Sequence, residues 1–496
     1  MLGIIAAVVR EIRGVIRKIS DVPGLLGVRL KLFFPILPAM AICLWLSTGQ
    51  KQARIAASAP GDDLPACTLY ASPAGSDADA GNAPTSPKTF SGAAAVARPG
   101  SVVCLMGGTY PLTSAFLPPS SGTPSAWIVY RSYGGAPAKF VWAGPADASP
   151  IFKLGTGNFP SGPAYLEFRG LNLDGGGKAG DGFFCRGGHH LRFIENSISN
   201  TGGSGIGSIQ CDYLTADHNI ASHNGYIPAN AGSQGKYYSW TSGISFNSNQ
   251  WYDSFSGFHN IIANNIIASE VDQSSNHSDG NGIILDLSNR RYDRDSANTP
   301  PALVINNVVY GNGGRCIEAY VVTNFWFVNN TCYKNNLDPS IGKAAALSII
   351  DAAGGYVINN VVAVWSSSDR CYGEEKATAN IRYYRNLCFG PAENSSSSDP
   401  TQIFAADPLF LHPPFFHVTA KGQYAKALAP ALLGDGLALQ PNSPAIGKGI
   451  DPTTLPNLPE MIIMDLKKYI YSDINGTARP QGGAPDLGAY QRSPTQ

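Results

Sequence analysis

The chain has 496 residues, 35 Lys and Arg against 35 Asp and Glu, and 44% hydrophobic residues, too much apolar material for a disordered chain. Only 14% of residues are charged while 55 are Gly and 36 are Pro, which argues against a helical bundle or coiled coil and for many short strands and turns. Zero net charge removes any global case for binding nucleic acid.

The balance hides an asymmetry. Residues 1–54 carry eight basic and two acidic side chains, so a basic head precedes an acidic body. In the head, Ile4, Ile5, Val8, Ile12, Val15, Ile16 and Ile19 fit one face of a surface-lying amphipathic helix. The apolar run from Leu32 to Leu46 is shorter than the ~20 residues of a spanning helix and has the length of a signal-peptide core. Residues 1–59 are expected to be a signal or anchor segment. Cleavage near Ala57-Ser58-Ala59 and membrane association through residues 1–47 both stay open, and both place the body outside the cytoplasm, secreted or in the periplasm or cell envelope.

The body holds eight cysteines (Cys67, Cys104, Cys185, Cys211, Cys316, Cys332, Cys371 and Cys388) with no CxxC pair, which argues against zinc. A chain this long does not need staples, so one or two disulfides among buried free thiols are expected.

From residue 193 onward an apolar-x-Asn-apolar pattern recurs, ending at Asn196, Asn219, Asn265, Asn307, Asn330, Asn360 and Asn386. The period is ~23 residues, doubled where an insertion falls, and the segments alternate apolar and polar as strands do. The pattern predicts an all-β fold, a single-stranded parallel β-helix, with these Asn forming an internal ladder. Aligning the preceding strands puts Ile206, Ile244, Ile283, Ile317 and Leu347 inside the coil. Ser245, Ile284, Glu318 and Ser348 then form one outward column, and Asn247, Asp286 and Tyr320 the next.

The body resembles the secreted right-handed parallel β-helix proteins of bacteria, the superfamily of pectate lyases and other polysaccharide lyases. Leu69 to Asp77, Ala97 to Val103 and Gly107 to Tyr110 resemble its first coil and N-terminal cap. Ala406 to Phe410, Asn442 to Gly447, Asp473 to Pro480 and Gly482 to Tyr490 resemble its closing segment. The expected organisation is a β-helix over 60–390, with an aromatic insertion near 225–260, and C-terminal coils and an irregular closing segment over 391–496. The resemblance implies a monomer acting on a polysaccharide, with Ca²⁺ as a candidate cofactor.

Function has to be argued from a site. Glu270 to Asp286 concentrates four acids and one His and contains a turn, Asp279-Gly280-Asn281-Gly282-Ile283, that resembles the superfamily's DGNGI turn. Asp272, Asp279 and Asp286 are the candidate metal ligands, and Asp286, Glu318, Arg315 and His277 the candidate catalytic groups. Lys236 and Lys343 are further candidate bases. Asp286 and Glu318 are expected about 8 Å apart, across neighbouring coils with a two-residue offset. Trp240, Trp251, Tyr252 and Tyr320 are the candidate rings for stacking sugar. His189 and His190 read as structural. The chain lacks the Asp-Asp cluster of calcium-rich pectate lyases and the Asp-Pro-His-Asp signature of alginate epimerases. The first expectation is a lyase that eliminates across an acidic, uronate-containing polysaccharide. The alternatives are a glycoside hydrolase using Asp286 and Glu318, or a non-catalytic glycan-binding or envelope protein.

Overall fold

The computed structural model describes residues 64–226, 240–274, 277–286, 298–341, 344–365, 369–390, 401–414 and 435–492. The signal or anchor segment, Lys236, Lys343, Tyr237 and Tyr238 lie outside the described residues.

Three short strands make each coil. Phe183–Arg186 belongs to an 8-stranded sheet, and His189–Ile194 and Ser197–Ser199 belong to two rows of a 20-stranded one. A turn then leads to Ile206–Ile209 of the next coil. Every strand pairing is parallel, and in the 8-stranded sheet the spatial order follows the chain. This is a parallel β-helix.

The bend between the two rows of the larger sheet explains the paired Asn. The first residue of each pair is left-handed (φ 55° at Asn264, 56° at Asn306, 53° at Asn329, 56° at Asn359), a conformation Asn adopts at less cost than most residues. The second is buried and points inward. Its amide donates to the carboxamide oxygen of the next coil, in the series Asn196, Asn219, Asn265, Asn307, Asn330, Asn360 and Asn386, at 2.9–3.0 Å per step. The ladder is the predicted one, residue for residue.

A second ladder lies at the far end of the third strand row, and the repeat pattern did not reveal it. Thr201 Oγ1 donates to Asn224, Asn224 Nδ2 to Glu270 Oε1 (3.0 Å), the Glu270 backbone N–H to Asn312 Oδ1, and Asn312 Nδ2 to Asn335 (2.8 Å). Burial pushes the Glu270 carboxyl up to about 8, against the pull of the Asn224 amide.

The predicted strand register holds. Ile206, Ile244, Ile283, Ile317 and Leu347 pair in sequence and are buried, and Ser245, Ile284, Glu318 and Ser348 stand side by side on the outer face. The N-terminal end of the core is closed by the helix Phe90–Val96. Phe90 sits among Phe116, Phe140 and Phe152, and the Thr89 hydroxyl accepts the Gly92 N–H as the helix cap.

The C-terminal segment runs back over the outer face of the larger sheet. Leu455 and the helix Glu460–Leu466, through Ile462 and Leu466, cover Leu303, Trp326 and Ile358. Leu437, Ala445, Leu487 and Tyr490 cover Val308, Tyr310, Val361 and Leu387. Asn306 and Asn359, the outward members of their pairs, donate to carbonyls of this segment at Tyr469, Ser472 and Ile450.

All eight body cysteines pair: Cys67–Cys104, Cys185–Cys211, Cys316–Cys332 and Cys371–Cys388. This corrects the expectation of one or two bridges. Six of these cysteines are inward residues of the coil, where opposing walls and neighbouring turns bring their sulfurs together, so chain length does not decide the count.

Two predictions follow from the ladders. Asn307 makes five ladder bonds, and Asn307→Leu strands several buried polar groups at ~1–3 kcal/mol each. Its urea midpoint should fall far more than that of Asn82→Leu at an exposed site; equal falls would contradict the ladder. Glu270 has a folded pKa raised above its ordinary value of 4.5, so its stabilising effect is present below that value and lost as pH rises to about 8. Glu270→Gln keeps an acceptor for Asn224 and should remove part of the decline in urea midpoint between pH 5 and 8; identical slopes would contradict this.

Candidate functional site

The outer face of the 8-stranded sheet carries three polar columns. Ser245, Glu318 and Ser348 form the middle one and Asn247, Asp286 and Tyr320 the exit one, while Ser242, Asn281 and Arg315 lie side by side, with Ser242 and Asn281 buried, along the entry edge of the strands. Between the strands Asn281–Asp286 and Ile317–Tyr320 this face becomes a buried charged cluster.

Asn281, fully buried, is its centre. Its Nδ2 donates to Asp279 Oδ1 (3.1 Å) and to Glu318 Oε2 (3.0 Å), while its Oδ1 accepts the Arg315 backbone N–H (2.8 Å). One amide thus holds two carboxyls, whose acceptor oxygens stand at most about 6 Å apart. Arg315 Nε lies 3.3 Å from Glu318 Oε1, and its Nη1 donates to the Ser278 carbonyl (3.1 Å). Gly314 makes this closeness possible, because a Cβ there would stand 2.5 Å from the Asp279 carbonyl and 2.6 Å from Asn281 Oδ1.

The two carboxyls are raised to different ends. Burial, then the charges of Glu318 and Asp286, push Asp279 well above the usual carboxylate range, with Arg315 pulling against them. Glu318 is 3% exposed; burial raises it too, but Arg315 and the Asn281 amide both favour its ionised form. Both carboxyls are therefore raised, with Arg315 pulling against the rise at each and the Asn281 amide pulling against it at Glu318.

The other predicted residues distribute around this pair. Asp286 pairs in register with Tyr320 and accepts from Asn247 Nδ2 (2.7 Å), so Asp279 and not Asp286 is the carboxyl that Asn281 joins to Glu318. His277 is held by Asp338 (Nδ1 to Oδ2, 2.9 Å). Trp240, 64% exposed, stands beside Asp279 one coil earlier, where the Gly280 N–H donates to the Thr241 carbonyl. Tyr320 lies two residues from Glu318, under the Lys376 ammonium (5.2 Å).

Trp251 and Tyr252 do not join them. They belong to a ring cluster at the opposite edge of the sheet, where Tyr252 stacks on His189 (4.1 Å) and Trp251 packs edge-on against His259 (5.0 Å). His259 donates to Asp212 (2.7 Å) and to the Phe255 carbonyl (2.9 Å). Burial opposes its charge, but Asp212 outweighs burial and holds it above the usual histidine range. His189 and His190 contact each other through their Nδ1 atoms (2.8 Å) within this cluster.

Both Asp272 oxygens accept N–H groups of its own turn, from Ser274 and Ser278, and Asp286 is bonded to Asn247. Among the described residues no three His, Cys, Asp or Glu side chains are grouped to hold a metal ion. Sequence reasoning missed Lys376 and the bridging role of Asn281. Asn281 was visible only as a turn residue lateral to Arg315, and Lys376 carried no motif.

No protein-family model matches this sequence, and no curated protein matches it significantly. Among solved structures the chain is similar to pectate lyase Pel9A, at 18% identity over 86% of this chain and 96% of that one, with a TM-score of 0.45. It is similar to a glycoside hydrolase at 9% identity over 68% of this chain and 95% of that one, with a TM-score of 0.49. It is also similar to a rhamnogalacturonan lyase at 15% identity over 68% and 90%, with a TM-score of 0.36. These likenesses concern the coiled fold and assign no activity to this chain.

Titration of the pair can be read directly. Carboxyl ¹³C chemical shifts should show Asp279 titrating above the usual carboxylate range, and Arg315→Ala should move the Glu318 titration upward. Ordinary midpoints for both would contradict the coupled pair.

Proposed function

We propose that this chain is an extracytoplasmic enzyme that cleaves a polysaccharide by hydrolysis at the Asp279–Glu318 pair. The observation that carries the proposal is the pair itself: two carboxyls held by one amide, both raised by burial, with Arg315 and the Asn281 amide pulling against that rise at Glu318. Four disulfides support the location, since such bridges persist in oxidising compartments.

The separation of at most about 6 Å between the bridged oxygens lies nearer the ~5–5.5 Å of retaining glycosidases than the ~6.5–9.5 Å of inverting ones. In this reading protonated Asp279 gives its proton to the leaving glycosidic oxygen as that C–O bond breaks. Ionised Glu318 forms a bond to the anomeric carbon. Water then attacks that carbon, its proton passes to Asp279, and the Glu318–carbon bond breaks. Arg315 keeps Glu318 ionised and aimed, and Trp240 and Tyr320 offer faces for the neighbouring sugar rings.

One observation favours elimination instead. Arg315 touches Glu318, and the positive charge of Lys376 lowers the Glu318 pKa, so two cations stand where a uronate carboxylate would need neutralising. Elimination leaves an unsaturated sugar that absorbs in the ultraviolet, whereas hydrolysis creates reducing ends without it.

Incubating residues 60–496 with neutral and uronic-acid polymers should yield new reducing ends without ultraviolet absorbance. Glu318→Gln and Asp279→Asn should each lower kcat about 10²–10⁴-fold, while Asp272→Asn should affect stability more than kcat. Absorbance rising with the reducing ends would overturn hydrolysis in favour of elimination. Retention of a polymer without any product would overturn cleavage.

A further inference from the structure

The outer columns of the third strand row change character along the solenoid. From Val308 and Tyr310 onward they are apolar except at Thr331, and the C-terminal segment covers them. In the earlier coils the same two columns hold Asn172 and Ser197, then Asp174, Ser199 and Ser222, and a depression of about 350 Å³ lies over them. That volume falls within the ~300–1,000 Å³ of small-ligand sites.

The depression has a fixed frame and an unpaired group at its wall. Asp174 is held by the Lys139 ammonium (3.2 Å), the Asn200 amide (3.0 Å) and the Gly176 N–H (3.1 Å). Ser222 is only 5% exposed and lines the depression. His223 Nδ1, also at this wall, is buried without a partner while the ring is clamped by stacking on Tyr226 (3.8 Å).

Their chemistry selects the occupant. The Lys139 charge is offset by Asp174, so the site does not call for an anion. Hydroxyl, amide and imidazole groups together offer donors and acceptors to a neutral molecule rich in hydroxyls. The columns repeat at the coil spacing of ~4.8 Å, about the length of one pyranose unit. We infer that this depression is a saccharide-binding subsite, separate from the Asp279–Glu318 pair and on a different sheet. The choice of saccharide rests on the proposed function; the presence of a polar ligand site does not.

The test uses the Glu318→Gln chain, so that bound glycan is not consumed. Hexasaccharides of galacturonate, mannuronate, xylose and glucose are titrated by calorimetry, alone and with Ser199→Trp or Lys139→Ala added. The expected result is binding of at least one hexasaccharide, weakened at least tenfold by Ser199→Trp and severalfold by Lys139→Ala, with unchanged thermal melting. Affinity insensitive to both substitutions, or no binding of any hexasaccharide, would overturn the subsite. Ser199→Trp in the otherwise unaltered chain is assayed in parallel for reducing ends. Saccharide binding that responds to Ser199→Trp in a chain that cleaves nothing would refute the proposed function and leave the subsite standing. Cleavage with insensitive binding would do the reverse.

Discussion

The carboxamide of Asn at the bend between the two rows of the larger sheet sets the register of the whole solenoid. Each such side chain is buried, and its amide and oxygen are satisfied by the equivalent residues of the neighbouring coils together with backbone groups beside them. A slip of one residue would turn each ladder Asn outward and bring its left-handed predecessor inside. The alignment of Ile206, Ile244, Ile283, Ile317 and Leu347 is thus tied to a hydrogen-bond series on another wall of the same coils. Glu318 lies beside Ile284 and Arg315 reaches Asn281 because that register allows no other arrangement.

What covers the coils determines what their outer faces can do. Over the later strand rows of the larger sheet the C-terminal segment buries Leu303, Trp326, Val308 and Tyr310, and those columns have become a second core. The 8-stranded sheet keeps its polar columns on the outside, and there Asp279, Asn281, Arg315 and Glu318 form one connected cluster. Such a cluster is a poor device for stability, because desolvated carboxyls of like charge oppose folding. Its persistence at a single place on an otherwise repetitive solenoid is the physical reason for reading it as a site.

Much of the fold was legible in the sequence, and less of the site. The ladder, the strand register and the outward position of Glu318 are periodic features, and period survives in a single sequence. The partner of Glu318 was not legible, because Asp279 precedes its strand within a turn, where neither alternation nor lateral pairing assigns a direction. Asp286 obeyed the strand pattern and so attracted the assignment, yet its bond goes to Asn247. Asp272 looked like a cation ligand by composition, while its oxygens close its own turn. The cysteines failed for a different reason: pairing depends on which inward residues of two walls meet, and that requires the coil cross-section.

The central claim is that Asp279 and Glu318 act as one chemical unit held by Asn281. The most direct measurement is a double-mutant cycle on kcat toward the cleaved polymer, with Asp279→Asn, Glu318→Gln and the double variant. If the two carboxyls serve the same step, the double variant should be barely slower than the worse single one. Effects that multiply would contradict a shared step, and an active Asp279→Asn, Glu318→Gln chain would place the chemistry elsewhere on the molecule.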